Sequence, residues 1–134
     1  MGTRLGRIVL LSDDIDRSLD FYRRHFDLHS VVDDDLDGFR LTHVGAGGVE
    51  DPGLWLFPAE AAGARPGAAT GSAPALVLYV DSLDGVVDSL DRGGHPLRVP
   101  VTGDPGGQRY AHVDDPDGNE IVVVEFAGEG RARP

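Results

Sequence analysis

The chain has no cysteine among its 134 residues, and it has no long apolar segment. The missing cysteine excludes disulfide bonds, thiolate metal sites and a cysteine nucleophile from this sequence. The longest early apolar run, residues 8–11, is far too short for the core of a signal peptide or for a membrane span. We therefore expect a cytoplasmic protein of one domain, because a chain of this length can bury a core without covalent cross-links.

Basic residues are also scarce. The sequence has 12 of them against 23 acidic residues, so its formal net charge is -11. A charge of that sign repels phosphate backbones and anionic lipid surfaces. We expect no nucleic-acid partner and no membrane partner, and the charge favours a neutral or cationic small molecule as the ligand.

An internal repeat is the strongest pattern that the sequence does contain. Residues 75–90, ALVLYVDSLDGVVDSL, align with residues 7–22, RIVLLSDDIDRSLDFY, at a constant offset of 68. In each copy a short apolar strand precedes acidic residues that suit a helix start. The first copy continues with three strand patterns, at 28–33, 39–44 and 54–57. The repeat therefore predicts two units of the order strand, helix, strand, strand, strand.

The helix of the first copy is predicted from four apolar residues at helical spacing, namely Ile15, Leu19, Tyr22 and Phe26. In the second copy Gly93 and Gly94 end the helix, a strand follows near 96–101, and residues 109–126 read as a hairpin.

The repeat also divides the chain into modules. Module one spans about 5–58, a linker spans 59–74, and module two spans about 75–127. The linker is almost entirely alanine, glycine and proline, so we expect a flexible connector with nothing to bury.

Two βαβββ copies, the pair Phe21-Tyr22 in the first helix and the sequence DPDGN at 115–119 together resemble the vicinal oxygen chelate superfamily. That family includes glyoxalase I, bleomycin-resistance proteins, fosfomycin-resistance enzymes, methylmalonyl-CoA epimerase and extradiol dioxygenases. The resemblance covers roughly residues 5–126. It implies an α+β fold in which two tandem modules form a curved mixed sheet around a cavity, with helices on the outer face. The alternative is a ferredoxin-like α+β sandwich, which has one strand fewer per copy.

The resemblance also implies where a metal ion would be bound. In metal-dependent members, His or Glu ligands stand on the first and last strands of each module, and here those four places fall on Arg7, Trp55, Ala75 and Val122. None of these side chains is a usual ligand of a divalent ion. The repeat supports the mapping, because Arg7 and Ala75 are 68 residues apart and Trp55 and Val122 are 67 apart. We therefore expect no metal ion and no other cofactor.

Alternation along the strands then predicts the lining of a ligand site, because side chains two residues apart share a face. The residues on the same face as the four mapped positions are Arg7, Val9, Leu11, Trp55, Phe57, Ala75, Val77, Tyr79, Glu120, Val122 and Val124. The residues expected to pack under the helices are Ile8, Leu10, Leu54, Leu56, Leu76, Leu78, Ile121 and Val123. The predicted lining is mostly apolar, as is usual for small-molecule pockets.

Two lining residues are catalytic candidates. Glu120 is either a general base whose pKa is raised by apolar neighbours or a carboxylate at the strand mouth that is hydrated or paired with Arg7 or Arg109. Arg7 either anchors a carboxylate or enolate of a ligand or forms a structural ion pair. Trp55 is either a cavity residue or an aromatic of the core.

Several histidines and aspartates are weaker candidates. His43 and His112 would complete a rearranged metal site with Glu120, although the expected hairpin register puts His112 opposite Ile121 and so on the helix-packed face. The sequence DDDLDG at 33–38 begins like a calcium loop but lacks the glutamate that would end it, so we expect a solvated turn.

His25 and His29 flank the end of the first helix, where a cation suits the helix dipole. We expect both to be solvated.

The function expected from these features is metal-free binding. A protein similar to the bleomycin-resistance branch would sequester a small aromatic or partly cationic metabolite or antibiotic. The alternative is an enzyme of the lyase, isomerase, cyclase or dioxygenase type, in which Glu120 moves a proton and Arg7 stabilises the developing anion, or in which the rearranged metal site acts. The resemblance further implies a homodimer, because two-module relatives generally form one.

Overall fold

The structure, a computed structural model, describes residues 2–65, 73–104 and 107–126. The chain divides into two compact units, Met1–Gly71 and Ser72–Pro134, called here the first and the second unit. No helix in these described parts is long and apolar enough to cross a membrane.

Each unit is built around one four-stranded mixed sheet. The first unit contains β1 (Arg7–Ser12), α1 (Ile15–Phe26), β2 (His29–Leu36), β3 (Phe39–Gly45), β4 (Gly53–Pro58) and α2 (Ala59–Ala62). The second unit contains β5 (Leu76–Tyr79), α3 (Leu83–Arg92), β6 (Leu97–Gly103), β7 (Arg109–Asp114) and β8 (Glu120–Glu125).

The two sheets have the same topology. Their strand orders are β1-β4-β3-β2 and β5-β8-β7-β6. In both, the first and last strands of the unit run parallel and the other neighbours run antiparallel. This confirms the two βαβββ modules predicted from the repeat, and four strands in each unit exclude the ferredoxin-like sandwich.

Helix α1 has a cap at each end. The Asp14 carboxylate accepts a hydrogen bond from the Arg17 N–H at 3.1 Å, which satisfies a free donor of the first turn. Asp27 adopts a left-handed conformation with a φ of 56°, and its N–H donates to the Arg23 carbonyl at 3.2 Å. The buried residues of α1 are Ile15, Ser18, Phe21, Tyr22 and His25, while Leu19 and Phe26 of the predicted stripe are half-buried.

The prediction that His25 is solvated is wrong. Its side chain is only 6% exposed, and its ring centroid lies 5.1 Å from that of Phe21. His25 follows Phe21 by four residues and therefore lies on the same buried face of α1. His29, which lies beyond the helix, is exposed as predicted.

The first residue of helix α3 forms a hydrogen bond to β8. The Leu83 N–H donates to the Glu125 carboxylate at 2.9 Å, and Ser82 caps the helix by accepting from the Gly85 N–H at 3.1 Å. The bond from Leu83 is the main reason that the pKa of Glu125 is lowered. The helix ends at the predicted glycines, where Gly94 has a φ of 79°.

The sheet faces that carry the buried side chains follow the predicted alternation. Helix α1 packs against β2, β3 and β4, and α3 packs against β7 and β8. The buried strand residues include Leu10, Leu54, Leu56, Leu76, Ile121 and Val123. Leu78 is half-buried, and Ile8 is 37% exposed because β1 is an edge strand whose outer flank is left open.

Two segments differ from expectation. Helix α2 lies in the segment predicted as a connector, and Ala59 is only 3% exposed, so the start of that segment does bury a side chain. Residues 66–72 of the predicted linker lie outside the described part of the chain. The acidic segment 33–38 is mostly strand, because β2 continues to Leu36 and only the next two residues form the turn.

Candidate functional site

The predicted lining residues of the first unit share one face of its sheet. β1 and β4 run in parallel with Val9 opposite Trp55. Arg7, Leu11 and Phe57 lie two residues from these along the same strands, so their side chains emerge on the same side. The intervening residues emerge on the other side of the sheet and include the buried Leu10, Leu54 and Leu56. The structure therefore brings five predicted residues together.

The predicted lining residues of the second unit share a face in the same way. They are Ala75, Val77, Tyr79, Glu120, Val122 and Val124. Val77 lies opposite Val122, as Val9 lies opposite Trp55, so the two sets hold the same place in the repeat. Val77 and Tyr79 are 53% and 73% exposed, whereas Val124 is buried.

Four rings form a continuous array on this face of the first sheet, called here the ring array: Phe39, Phe57, Trp55 and His43. Adjacent ring centroids are 5.3, 5.1 and 5.5 Å apart in that order, and each pair is tilted or edge-on. Such rings give a broad apolar surface with a polar edge at the indole and the imidazole. The array extends the predicted pair Trp55 and Phe57 at both ends.

Four nitrogen atoms at the polar end of the array are buried and have no hydrogen-bond partner among the described residues. They are Nε of Arg7, Nε1 of Trp55 and both ring nitrogens of His43. Folded proteins leave few buried polar groups unpaired, and each one costs about 1 to 3 kcal/mol. Nitrogens that remain unpaired within the chain are candidates for pairing with a bound molecule.

Arg7 is held by backbone carbonyl groups. Its Nη1 donates to the carbonyls of Gly6 at 3.1 Å and Asp51 at 2.9 Å, and its Nη2 donates to the carbonyl of Val49 at 2.6 Å. No carboxylate of the described residues pairs with it, so the structural ion pair considered for Arg7 is not formed there. These bonds fix the guanidinium in place and leave its charge without a counterion.

His43 lies directly opposite Trp55 in the next strand. Burial lowers the pKa of the His43 imidazole, and the positive charge of Arg7 lowers it further. The ring is therefore neutral at neutral pH, with one N–H donor and one acceptor nitrogen.

The register predicted for the second hairpin is wrong by one residue. His112 pairs with Val122, and Val113 pairs with Ile121. The loop 115–119 is closed by a hydrogen bond from the Asp115 N–H to the Asn119 carbonyl at 2.9 Å, and its odd length shifts the pairing. A shift of one residue moves every side chain to the other face. His112 therefore shares a face with Glu120 instead of facing the helix.

Glu120 and His112 form a close pair. Nδ1 of His112 lies 2.7 Å from Oε2 of Glu120, and the two side chains are 19% and 13% exposed respectively. A carboxylate only accepts hydrogen bonds, so Nδ1 carries the proton and donates it. This orients the ring so that its other nitrogen is the one able to take up a proton.

The arginine partners of the second unit also differ from expectation. One alternative for Glu120 is a pair with Arg7 or Arg109, but the arginine within reach of it among the described residues is Arg98, with 4.0 Å between Nε and Oε1. Arg98 itself forms a bidentate ion pair with Asp114, in which Nε lies 2.9 Å from Oδ1 and Nη2 lies 2.6 Å from Oδ2. Arg109 pairs with Glu125 and Asp84, which raises the pKa of the Arg109 guanidinium.

No group of three or more His, Asp or Glu side chains in the described ranges is arranged to hold a metal ion. Of the residues suggested for a rearranged metal site, His112 and Glu120 are in contact within the second unit.

A groove of about 340 Å³ lies at the hairpin of β2 and β3, and none of its wall residues belongs to the predicted lining. Its walls are Asp33, Asp34, Asp35, Gly38 and Arg40. Arg40 donates to Asp33 at 2.9 and 3.0 Å, which lowers the pKa of that carboxyl. The groove is polar and its main charges are already paired, so the apolar ring array is the better candidate for a binding surface.

Besides His112, three residues of these faces were not predicted from the sequence as lining. Phe39 and His43 alternate along β3, and that alternation was a usable signal. Arg98 reaches Asp114 and Glu120 only through the pairing of β6 with β7, which contains two register shifts. No spacing in the sequence indicates that contact.

Solved structures with the same fold support the assignment of the architecture. A member of the glyoxalase/bleomycin resistance protein/dioxygenase superfamily from Sphaerobacter thermophilus DSM 20745 is 25% identical, with a TM-score of 0.74 over 92% of this chain and 97% of that one. TnmS3, an antibiotic binding protein from Streptomyces sp. CB03234, is 23% identical, with a TM-score of 0.72 over 93% and 97%.

A lactoylglutathione lyase from Agrobacterium tumefaciens is 22% identical, with a TM-score of 0.67 over the full length of both chains. Identities of this size show a shared fold and not a shared activity. No curated protein matches the chain. The family model described as Glyoxalase/Bleomycin resistance protein/Dioxygenase superfamily matches residues 4–123. The chain therefore belongs to the glyoxalase/bleomycin resistance protein/dioxygenase superfamily.

Proposed function

We propose that this protein binds and sequesters a small aromatic molecule, a metabolite or an antibiotic, on the ring array of its first unit. The observation that carries the proposal is the array itself. Trp55 lies in its centre, with ring neighbours at 5.1 and 5.5 Å, on the sheet face opposite to α1. A flat ligand gains contact area and ring stacking on such a surface.

The family membership is compatible with this function but does not select it. One relative with the same fold is an antibiotic binding protein and another is a lactoylglutathione lyase. The same scaffold thus serves binding and catalysis, and the choice depends on the side chains of the site.

Binding without a metal ion is part of the proposal. The positions that correspond to metal ligands in the family are Arg7, Trp55, Ala75 and Val122, and none of these is a usual ligand of a divalent ion. Purified protein should carry no stoichiometric zinc, nickel, manganese or iron by elemental analysis, and EDTA should leave its Tm unchanged. About one equivalent of metal, removed by EDTA together with stability, would contradict this.

The experiment that tests the binding proposal uses Trp55, which is the only tryptophan in the chain. A library of aromatic metabolites and antibiotics is screened for a saturable change in its fluorescence, and the affinity of each hit is measured by calorimetry. Trp55→Ala should weaken binding about tenfold or more, which is roughly 1.4 kcal/mol, while the protein stays folded.

A matched variant, Tyr79→Ala, removes a ring from the predicted lining of the second unit. An equal or larger loss in Tyr79→Ala would move the ligand away from the ring array. Unfolding of Trp55→Ala without loss of affinity in the remaining folded protein would make Trp55 a structural residue.

A second candidate function is catalysis of proton transfer, as in a lyase, isomerase or cyclase. The contact of 2.7 Å between His112 and Glu120 favours it, because a carboxylate that orients an imidazole is a common arrangement for a general base. Loss of turnover of a bound molecule in Glu120→Gln, with affinity retained, would support this function. Stoichiometric binding without any product would support sequestration instead.

Two further properties remain predictions. A homodimer rests on the resemblance to two-module relatives, and a monomeric mass in light scattering at micromolar concentration would contradict it. A cytoplasmic location rests on composition, and fractionation of the source cells would test it.

A further inference from the structure

The unpaired nitrogens of the first unit form one patch. Trp55 lies between Val9 of β1 and His43 of β3, directly opposite both. Arg7 is two residues from Val9 on the same face of β1, and its charge is close enough to act on the His43 ring. The buried nitrogens without partners in the described residues therefore belong to three neighbouring side chains.

Most of these nitrogens are hydrogen-bond donors. The indole Nε1 of Trp55 and the Nε of Arg7 are donors only, and a neutral His43 has one donor and one acceptor nitrogen. At least three of the four atoms need an acceptor that the described residues do not supply. A ligand that presented only N–H groups to this patch would leave them unpaired.

The positive charge of Arg7 also favours a ligand with an acceptor group. Arg40, Arg98 and Arg109 each have a carboxylate partner. In contrast, the three hydrogen bonds of Arg7 within the described residues end on neutral carbonyl groups. A half-buried cation of this kind is stabilised by an anion in direct contact.

We propose that the molecule bound on the ring array carries an anionic oxygen group attached to its ring system, a carboxylate, phenolate or enolate, which accepts hydrogen bonds from Trp55 Nε1 and Arg7 Nε. This rests on the proposed function, since it specifies the ligand of the same site. It runs against the net charge of -11, which taken alone favours a cation. Charges more than about 8 Å away are screened by physiological salt. The charge preferred in the ligand is therefore set by the groups in direct contact with it.

The test compares three naphthalene probes that differ only in their substituent: 2-naphthoate, 2-methylnaphthalene and 2-naphthylmethylammonium. Binding is measured by equilibrium dialysis at physiological ionic strength. We expect 2-naphthoate to bind about tenfold more tightly than 2-methylnaphthalene, and the ammonium probe to bind most weakly.

Two variants separate the ring from its N–H group. Trp55→Phe keeps a ring but removes the donor, so it should reduce the affinity for 2-naphthoate about tenfold and change that for 2-methylnaphthalene less than about twofold. Trp55→Ala should weaken both probes. Circular dichroism confirms that each variant is folded.

The outcomes distinguish the two proposals. If the three probes bind equally, or the ammonium probe binds best, and Trp55→Ala weakens all of them, the ring array binds ligands but the anionic group is wrong. If Trp55→Phe lowers the affinity for 2-methylnaphthalene as much as for 2-naphthoate, the N–H group has no special role and this inference fails. If no probe binds, or Trp55→Ala has no effect on binding, both proposals are overturned.

Discussion

His43 and His112 hold the same place in the two units but have opposite surroundings. Each lies opposite the same repeat position of the neighbouring strand, occupied by Trp55 in the first unit and by Val122 in the second. The nitrogens of His43 have no partner in the described chain, whereas Nδ1 of His112 lies 2.7 Å from Glu120. One imidazole is left for an external partner and the other is oriented by a carboxylate.

The difference begins at the first residue of the last strand in each unit, which is Gly53 in one and Glu120 in the other. A Cβ atom on Gly53 would lie 2.5 Å from the Val44 carbonyl oxygen, so no side chain fits there without a shift of the backbone. At the first position of the first strand the first unit has the larger side chain, because Arg7 there corresponds to Ala75 in the second unit. Together with Trp55 in place of Val122, these differences give the first unit a face rich in donors that are unpaired among the described residues and the second unit a face with a His112–Glu120 pair.

The largest effect should come from adding a side chain where the first unit has none. Gly53→Ala should destabilise the protein by about 2 to 3 kcal/mol, because its new methyl group meets the backbone oxygen of Val44. Urea unfolding measures this loss. The matched control is Gly6→Ala, since a Cβ there has no atom within 4 Å. Equal stability of the two variants would show that position 53 can hold a side chain without disturbing the backbone.

A smaller effect is expected for the pair in the second unit. A double-mutant cycle with His112→Phe and Glu120→Met should give a coupling energy of about 1 kcal/mol in urea unfolding at pH 7, because each change alone breaks the same hydrogen bond. Additive effects of His112→Phe and Glu120→Met would mean that the pair is not formed in solution.

The smallest effect is the pH dependence carried by His43. Its pKa in the folded protein is lowered below the ordinary value of 6.5, mainly by burial, so the unfolded chain binds the proton more readily. Stability from this residue is present above about pH 6.5 and is lost as the pH falls from there through the lower folded pKa. Wild type should lose more free energy of unfolding between pH 7.5 and pH 5 than His43→Phe does. An equal or larger loss in the variant would contradict the shift.

The sequence by itself determined the architecture and much of the first face. The offset of 68 residues predicted two units of one topology, because an equal hydrophobic pattern in each copy must be buried in an equal way. The alternation along β1 and β4 placed Arg7, Val9 and Trp55 on one side, because the period of a strand is two residues.

Only the tertiary structure decided which polar groups meet. The partner of His112 depended on the length of the loop 115–119, since one residue in the register reverses the face of the whole strand. The bonds of Arg7 depended on the carbonyls of residues 49 and 51, which are far away in sequence. The unpaired nitrogens of His43 and Trp55 depended on burial, and burial results from the packing of several strands and is not a property of any short stretch of sequence.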